Sequence, residues 1–416
     1  RLADRFGEEV LPALTRRLSE WSTFTMRGAL EAETGVPGEE LHGRWLDTLD
    51  TGYTRSTRAI RAQERAGEAL VQEGFSNYHP RYSPSGDRVA FVSNMGEDYN
   101  QMSLYVRDLS DGSTASFELE GAGRRGGRWA CRYGGRHGTR LVRGVSGSFT
   151  WAPDGASIVY ARKSNTWEGF DYADLYALDL ENGQRRRLTR KRRATEPAFG
   201  PDGEQIVFVG QRDGSSNLYR LDLETEEVRP LTDFAGGTQV GAPAWHPAGG
   251  WIYFERTDGG PRDVWRIRPD GSELEPVRER PWNERHPAFS PDGEQLYLAS
   301  DSSGIYNLYR GDPEGKDLQP VTNVVGGAFM PAVGPRGSVA FARFRGGGYE
   351  IATLDAPSPV DPSHLSYEAP EILREERRPE TRRLAVRGAL AVSRSDSVGG
   401  ADGPARESRA YEHSFA

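Results

Sequence analysis

The chain has 416 residues, 27% of them charged, with a net charge of −8, 50 glycines, 26 prolines and a single cysteine. So mild an acidity argues against a protein that binds nucleic acid over its whole surface, and the lone Cys131 excludes an intrachain disulfide. No stretch approaches the roughly 18 apolar residues of a spanning helix, and the Gly and Pro accompany apolar runs, as in a turn-dense all-β protein.

Residues 1–65 read as helical. Leu2, Phe6, Val10, Leu11 and Leu14 recur at helical spacing, and Leu18 and Trp21 extend the stripe. Thr25 to Glu33 predicts a second helix ending at Gly35. Pro37 followed by Gly38-Glu39-Glu40 predicts a third, with Leu41, Trp45 and Leu49 on one face. The chain opens on Arg1 inside a helical pattern, as a fragment or processed product would, so a signal peptide cannot be judged from it.

From residue 66 the text changes to a repeat. Ala69-Leu70-Val71 is a short apolar run, and then one phrase recurs six times: Tyr82-Ser83-Pro84-Ser85-Gly86, Trp151-Ala152-Pro153-Asp154-Gly155, Phe199-Gly200-Pro201-Asp202-Gly203, Trp245-His246-Pro247-Ala248-Gly249, Phe289-Ser290-Pro291-Asp292-Gly293 and Val333-Gly334-Pro335-Arg336-Gly337. Pro presets φ to about −65° at the second turn position and Gly accepts positive φ at the last, which is hairpin chemistry. An apolar run follows each turn, such as Val89-Ala90-Phe91 or Ile206-Val207-Phe208. A third element follows that (Leu104-Tyr105, Leu175-Tyr176, Leu218-Tyr219, Val264-Trp265, Leu308-Tyr309), and Leu188-Thr189, Leu231-Thr232 and Val321-Thr322 read as the fourth. The turn prolines are spaced by 69, 48, 46, 44 and 44 residues. Four short strands every ~45 residues predict an all-β, six-bladed β-propeller over residues 66–356, with an insertion in blade one. The sixth repeat lacks a fourth strand of its own, so the run at Ala69 is expected to complete it and close the ring, leaving no free strand edge.

The insertion spans Gly112 to Gly147. Within it Arg124, Arg125, Arg128, Arg132, Arg136, Arg140 and Arg143 alternate with Trp129, Tyr133 and glycines. Such a mixture can grip phosphates and stack bases, but in an acidic protein it reads better as a solvated loop or irregular strand pair. A second basic run holds Arg185 to Arg187 and then Arg190, Arg192 and Arg193. Folded together, the two would make one basic patch for an acidic partner. Residues 357–416, rich in Pro, Glu, Arg and Ser, read as linker or disordered tail.

The repeated unit, with its Ser-Pro-Asp-Gly turn, Asn-Leu-Tyr third strand and Leu-Thr close, resembles the WD-like repeat of the TolB propeller family, also found in tricorn-type and prolyl-oligopeptidase-type proteases. The resemblance covers roughly residues 69–354, about two thirds of the chain. It implies the fold and an extracytoplasmic bacterial setting, periplasm or cell envelope. The N-terminal segment resembles, through the spacing of Gly35, Glu40-Leu41 and Trp45, the last helices of gluzincin-type peptidase domains. Their zinc motif of two His flanking a Glu does not occur here, and a helical cap or linker is the expectation.

Catalytic constellations are sparse. Gly144-Val145-Ser146-Gly147 misses nucleophile-elbow spacing, Cys131 with His137 in a Gly-rich loop is a weak nucleophile pair, and Asp154, Asp202 and Asp292 are expected to bond their own turns. No catalytic residue, metal or cofactor is assigned. The funnel remains: aligning the repeats places His79, Ser148, Glu196, Ala242, His286 and Met330 at one position on the innermost strands. His79, Ser148, Glu196 and His286 are the binding candidates, for a cation or an extended peptide end, against the plainer expectation of groups hydrogen-bonded to water and backbone. The aligned positions offer no aromatic residue, and the loop aromatics Tyr99, Trp167, Phe170 and Tyr172 are a second candidate surface. The expectation is therefore a non-catalytic, monomeric propeller that binds protein or peptide partners. The alternative is an accessory or gating propeller for a peptidase whose catalytic domain lies outside this chain.

Overall fold

The computed structural model describes residues 2–19, 25–96, 101–109, 139–165, 171–365 and 367. Contacts divide the chain into two units, Arg1–Gly52 with Ala369–Ala416, and Tyr53–Glu368.

In the first unit, α1 (Leu2–Phe6) and α2 (Val10–Leu18) are separate because Gly7 adopts φ 88° between them, which splits the predicted single stripe. The Thr25 hydroxyl accepts the Gly28 N–H and starts α3 (Met26–Thr34). Gly35 ends it in the left-handed conformation. Val10, Leu14 and Ala29 form its small buried core. The fourth helix, α4 (Gly38–Ala62), is longer than the Pro37 signal predicts and runs into the second unit, where Thr57 and Ile60 are buried and the Asn323 amide donates to the Gln63 carbonyl at 3.0 Å.

The second unit is a six-bladed β-propeller. After β1 (Glu68–Val71), blade one holds β2 (Asn77–Tyr82), β3 (Arg88–Ser93), β4 (Ser103–Asp108) and β5 (Thr139–Arg143). Blade two holds β6 (Val145–Trp151), β7 (Ser157–Asn165), β8 (Asp171–Asp179) and β9 (Arg185–Arg187). Blade three is β10 (Ala194–Phe199), β11 (Gln205–Arg212), β12 (Ser215–Asp222) and β13 (Val228–Pro230). Blade four is β14 (Gln239–Trp245), β15 (Ile252–Thr257), β16 (Asp263–Ile267) and β17 (Glu275–Pro276). Blade five is β18 (Glu284–Phe289), β19 (Leu296–Ser300), β20 (Asn307–Gly311) and β21 (Gln319–Pro320). Blade six is β22 (Ala328–Val333), β23 (Val339–Arg345) and β24 (Gly348–Leu354), and its outer strand is β1, paired antiparallel with Ala69 opposite Ala352 and Val71 opposite Ile351.

The turns are those the repeat spells. In blade one the Gly86 N–H donates to the Ser83 carbonyl at 2.8 Å, with Gly86 at φ 74°. Asp154, Asp202 and Asp292 each accept the N–H two residues on, at 2.8, 3.0 and 3.0 Å. The core is six wedges. One joins Val159, Ala161 and Leu175 of blade two to Ile206, Phe208 and Leu221 of blade three. Another joins Val71, Ala342 and Ile351 of blade six to Phe91 and Tyr105 of blade one. The second strand of each blade is therefore apolar on both faces, and each fully buried Phe (Phe91, Phe208, Phe341) contributes about 2–3 kcal/mol.

Three expectations shift. The outer strands β9, β13 and β21 precede the Leu-Thr pairs, whose threonines serve instead as hydrogen-bonding groups. Part of the predicted insertion is regular: residues 139–143 are the outer strand of blade one and Val145 begins blade two. Residues 357–365, assigned to the tail by composition, pack on blade five. There the Val360 N–H donates to the Pro320 carbonyl at 2.7 Å and Leu365 is buried.

Candidate functional site

Each innermost strand carries a β-bulge near its start, and the register breaks at the same place in blades one, three, four, five and six. The displaced residue is left-handed in all five: His79 (φ 52°), Glu196 (51°), Ala242 (47°), His286 (56°) and Met330 (56°). Each is followed by a proline, which needs no ladder hydrogen bond. A non-glycine residue in this conformation costs about 1 kcal/mol or more, and bulges of this kind re-aim side chains. In blade two the left-handed residue is Gly147, at φ 87°, and Ser148 is buried beside it without that conformation. The alignment that put Ser148 in the ring is thus one residue off in conformation, because blade two has Phe149 where the others have proline.

The re-aimed side chains share one space. His79 of blade one and His286 of blade five interact electrostatically with each other and with Arg81, and Arg81 also senses Glu196 of blade three. The Glu196 carboxylate accepts the Ala242 N–H at 2.5 Å, and the His79 N–H points to the Met330 sulfur at 3.4 Å. Behind the ring Glu255, 4% exposed, is held by Arg262 at 3.3 Å and Arg285 at 3.2 Å.

His79 and His286 are half-buried residues, and their surroundings hold both imidazoles below the ordinary value. Burial first, and then Arg81 and His286, push His79 down to about 3. Burial pushes His286 down to about 4, against the pull of Glu255 and with Arg285 adding to it. Both are neutral at neutral pH, and the His286 Nδ1 is buried without a hydrogen-bond partner. Burial likewise lowers Arg81 to about 10 and raises Glu196. Among the described residues no group of three His, Cys, Asp or Glu is placed to hold a metal ion.

The aligned positions hold no aromatic residue, but aromatic rings cluster beside them. Tyr78 packs on Tyr349 at 4.9 Å between centroids, Phe329 on Tyr306 at 4.9 Å, and Tyr349 also meets Phe344 at 5.1 Å. Tyr78 and Phe329 immediately precede the ring residues His79 and Met330, so aligning one column earlier would have found them. At the rim formed by the Pro-x-Gly turns lies a shallow cleft of about 320 Å³, lined by Pro201, Arg220, Trp245 and Arg268 among others, well away from these groups.

Of the basic patch, Arg124, Arg125 and Arg128 lie outside the described residues, as do Tyr99, Cys131, His137, Trp167 and Phe170. Arg190, Arg192 and Arg193 are exposed on the connection into blade three. The Arg192 N–H donates to Asp174 at 3.2 Å, and the Arg193 guanidinium lies over Tyr172 at 5.3 Å.

Comparison with known proteins adds the following. No family model matches the chain. An uncharacterized protein of Agrobacterium fabrum is 28% identical over 136 residues, 33% of this chain and 44% of that protein. Dipeptidyl-peptidase 5 of Porphyromonas gingivalis is 31% identical over 132 residues, 29% of this chain and 19% of the peptidase. The chain therefore spans less than half the length of these curated relatives. Among solved structures, a putative TolB from Agrobacterium tumefaciens (19% identity, TM-score 0.47, 67% of this chain and 91% of that one) and TolB from Acinetobacter baumannii (18%, 0.48, 69% and 63%) are similar in fold. The strand pairing by itself makes the chain a six-bladed β-propeller, a fold that does not fix a function.

Proposed function

We propose that this propeller is a non-catalytic binding module that takes an extended segment of a protein or peptide partner into the ring end of its channel, in the bacterial cell envelope. The observation that carries the reading is the coincidence, at one end, of five re-aimed bulge residues with the half-buried aromatic group Tyr78, Tyr306, Phe329 and Tyr349. Aromatic faces supply contact area at low entropic cost, and His79, Glu196 and His286 supply hydrogen bonds that set direction. No helix among the described residues is long and apolar enough to cross a membrane.

The test is retention of partners from envelope extract by the full chain. Tyr78→Ala with Phe329→Ala, and separately His79→Ala with His286→Ala, should abolish retention, while Arg190→Glu with Arg192→Glu should leave it intact. The reverse pattern would transfer the interface to the basic surface. The partial sequence similarity to dipeptidyl-peptidase 5 supports a second reading, a propeller that gates a peptidase. Peptidase activity in the retained fraction, measured on fluorescent casein, would favour it.

A further inference from the structure

One level inside the ring, the innermost strands present Arg81, Thr150, Ala198, Ala244, Ala288 and Ala332 at equivalent positions. Five of the six are small, and Arg81 alone carries a long charged side chain. Arg81 spends only Nη1, on the carbonyls of Pro80 at 3.1 Å and Pro331 at 3.4 Å. Among the described residues its Nε and Nη2 find no hydrogen-bond partner and no carboxylate lies within ion-pair distance of it. The side-on edge of the guanidinium, which matches a carboxylate with two parallel N–H···O bonds, is therefore unspent. Arg81 is half-buried and burial lowers its pKa, so a carboxylate reaching it would meet a partly desolvated charge, whereas Arg262 and Arg285 are already paired, with Glu255.

We propose that Arg81 is a seat for a carboxylate of the peptide segment entering the channel. This rests on the binding reading above and specifies what the channel takes. The chemistry around the seat selects a monoanion. Arg81, Arg262 and Arg285 face Glu196 and Glu255, an excess of one positive charge, and the two carboxyl groups oppose a dianion such as phosphate. His286, electrostatically coupled to Arg81 and with an unpartnered Nδ1, is a further polar group beside the seat. The carboxylate can be the C-terminus of the segment or an acidic side chain within it.

Three synthetic hexapeptide pools offered to the immobilised full chain, with mass-spectrometric readout, test the proposal: free acids without Asp or Glu, the same sequences amidated at the C-terminus, and amides containing Asp and Glu. Retention of the first pool over the second by at least about tenfold is expected, lost in Arg81→Gln and kept in part by Arg81→Lys, with thermal melting to confirm that both variants fold. Arg81-dependent retention of the third pool would support the seat and make an acidic side chain its source. Equal retention of acids and amides, abolished by Tyr78→Ala with Phe329→Ala, would overturn the carboxylate seat and leave the channel reading standing. Failure to retain any pool would overturn both.

Discussion

The Thr322 hydroxyl donates to Asn307 Oδ1 at 3.0 Å and accepts the Leu308 N–H at 2.8 Å, with both side chains fully buried. The same clamp recurs between Thr232 and Asn217 at 2.8 Å and between Thr189 and Asp174 at 2.8 Å. It ties the segment after each outer strand to the start of the third strand, and so satisfies backbone groups that a sheet of two- or three-residue edge strands cannot. Thr322→Val keeps the shape and removes the hydroxyl, leaving the Leu308 N–H buried without an acceptor. A loss of about 1–3 kcal/mol in urea unfolding is expected, with Thr322→Ser retaining most of the stability.

Ring closure depends on Val71, fully buried opposite Ile351 and packed with Phe91 and Tyr105 of blade one. Val71→Asp buries a carboxylate there and should free β24 as an unpaired edge. The expected outcome is a lower melting temperature and concentration-dependent association in size-exclusion chromatography. Val71→Ala, by contrast, should cost about 2 kcal/mol with the oligomeric state unchanged.

Acid should destabilise the ring through its histidines. Their folded values, about 3 for His79 and about 4 for His286, lie below the ordinary 6.5, so between those limits the unfolded chain binds more protons. Stability is unaffected above pH 6.5 and falls as pH drops from there toward 4, by at most about 1.4 kcal/mol per pH unit for each ring. Glu196, raised by burial, acts in the opposite sense above its ordinary 4.5. Comparing melting curves from pH 7 to 4.5 for the wild type and for His79→Gln with His286→Gln isolates the histidine part, and the variant should show the shallower decline.

Glu255 bridges Arg262 and Arg285, pairing with each through one carboxylate. Glu255→Ala leaves both guanidinium groups without it and should cost about 3–5 kcal/mol. Glu255→Met with Arg262→Met and Arg285→Met should recover much of that in urea unfolding, because removing all three partners avoids an uncompensated charge.

The repeat was legible because every blade must solve the same local problem with the same residues: Pro and Gly at turns such as Ser83 to Gly86, and uninterrupted apolar runs such as Ile206 to Val209 wherever both faces are covered. The closing strand at Ala69 was legible for a related reason, since a sixth repeat without an outer strand leaves an edge that only the chain's start can cover. The ring column could be aligned as well. Its bulge could not: Gly147 rather than Ser148 takes the left-handed position in blade two, and register is set by pairing across strands.

By itself, then, the sequence determined the number of blades, their turns and their closure, because these rest on local conformational preference and on the periodicity of burial. Only the tertiary structure decided which side chains meet. Arg81 and Glu196, or His79 and His286, come from different blades and are brought into one space by ring closure, which no periodicity encodes. The aromatic group of Tyr78, Phe329 and Tyr349 likewise assembles from the first and last blades, where the two ends of the repeat meet.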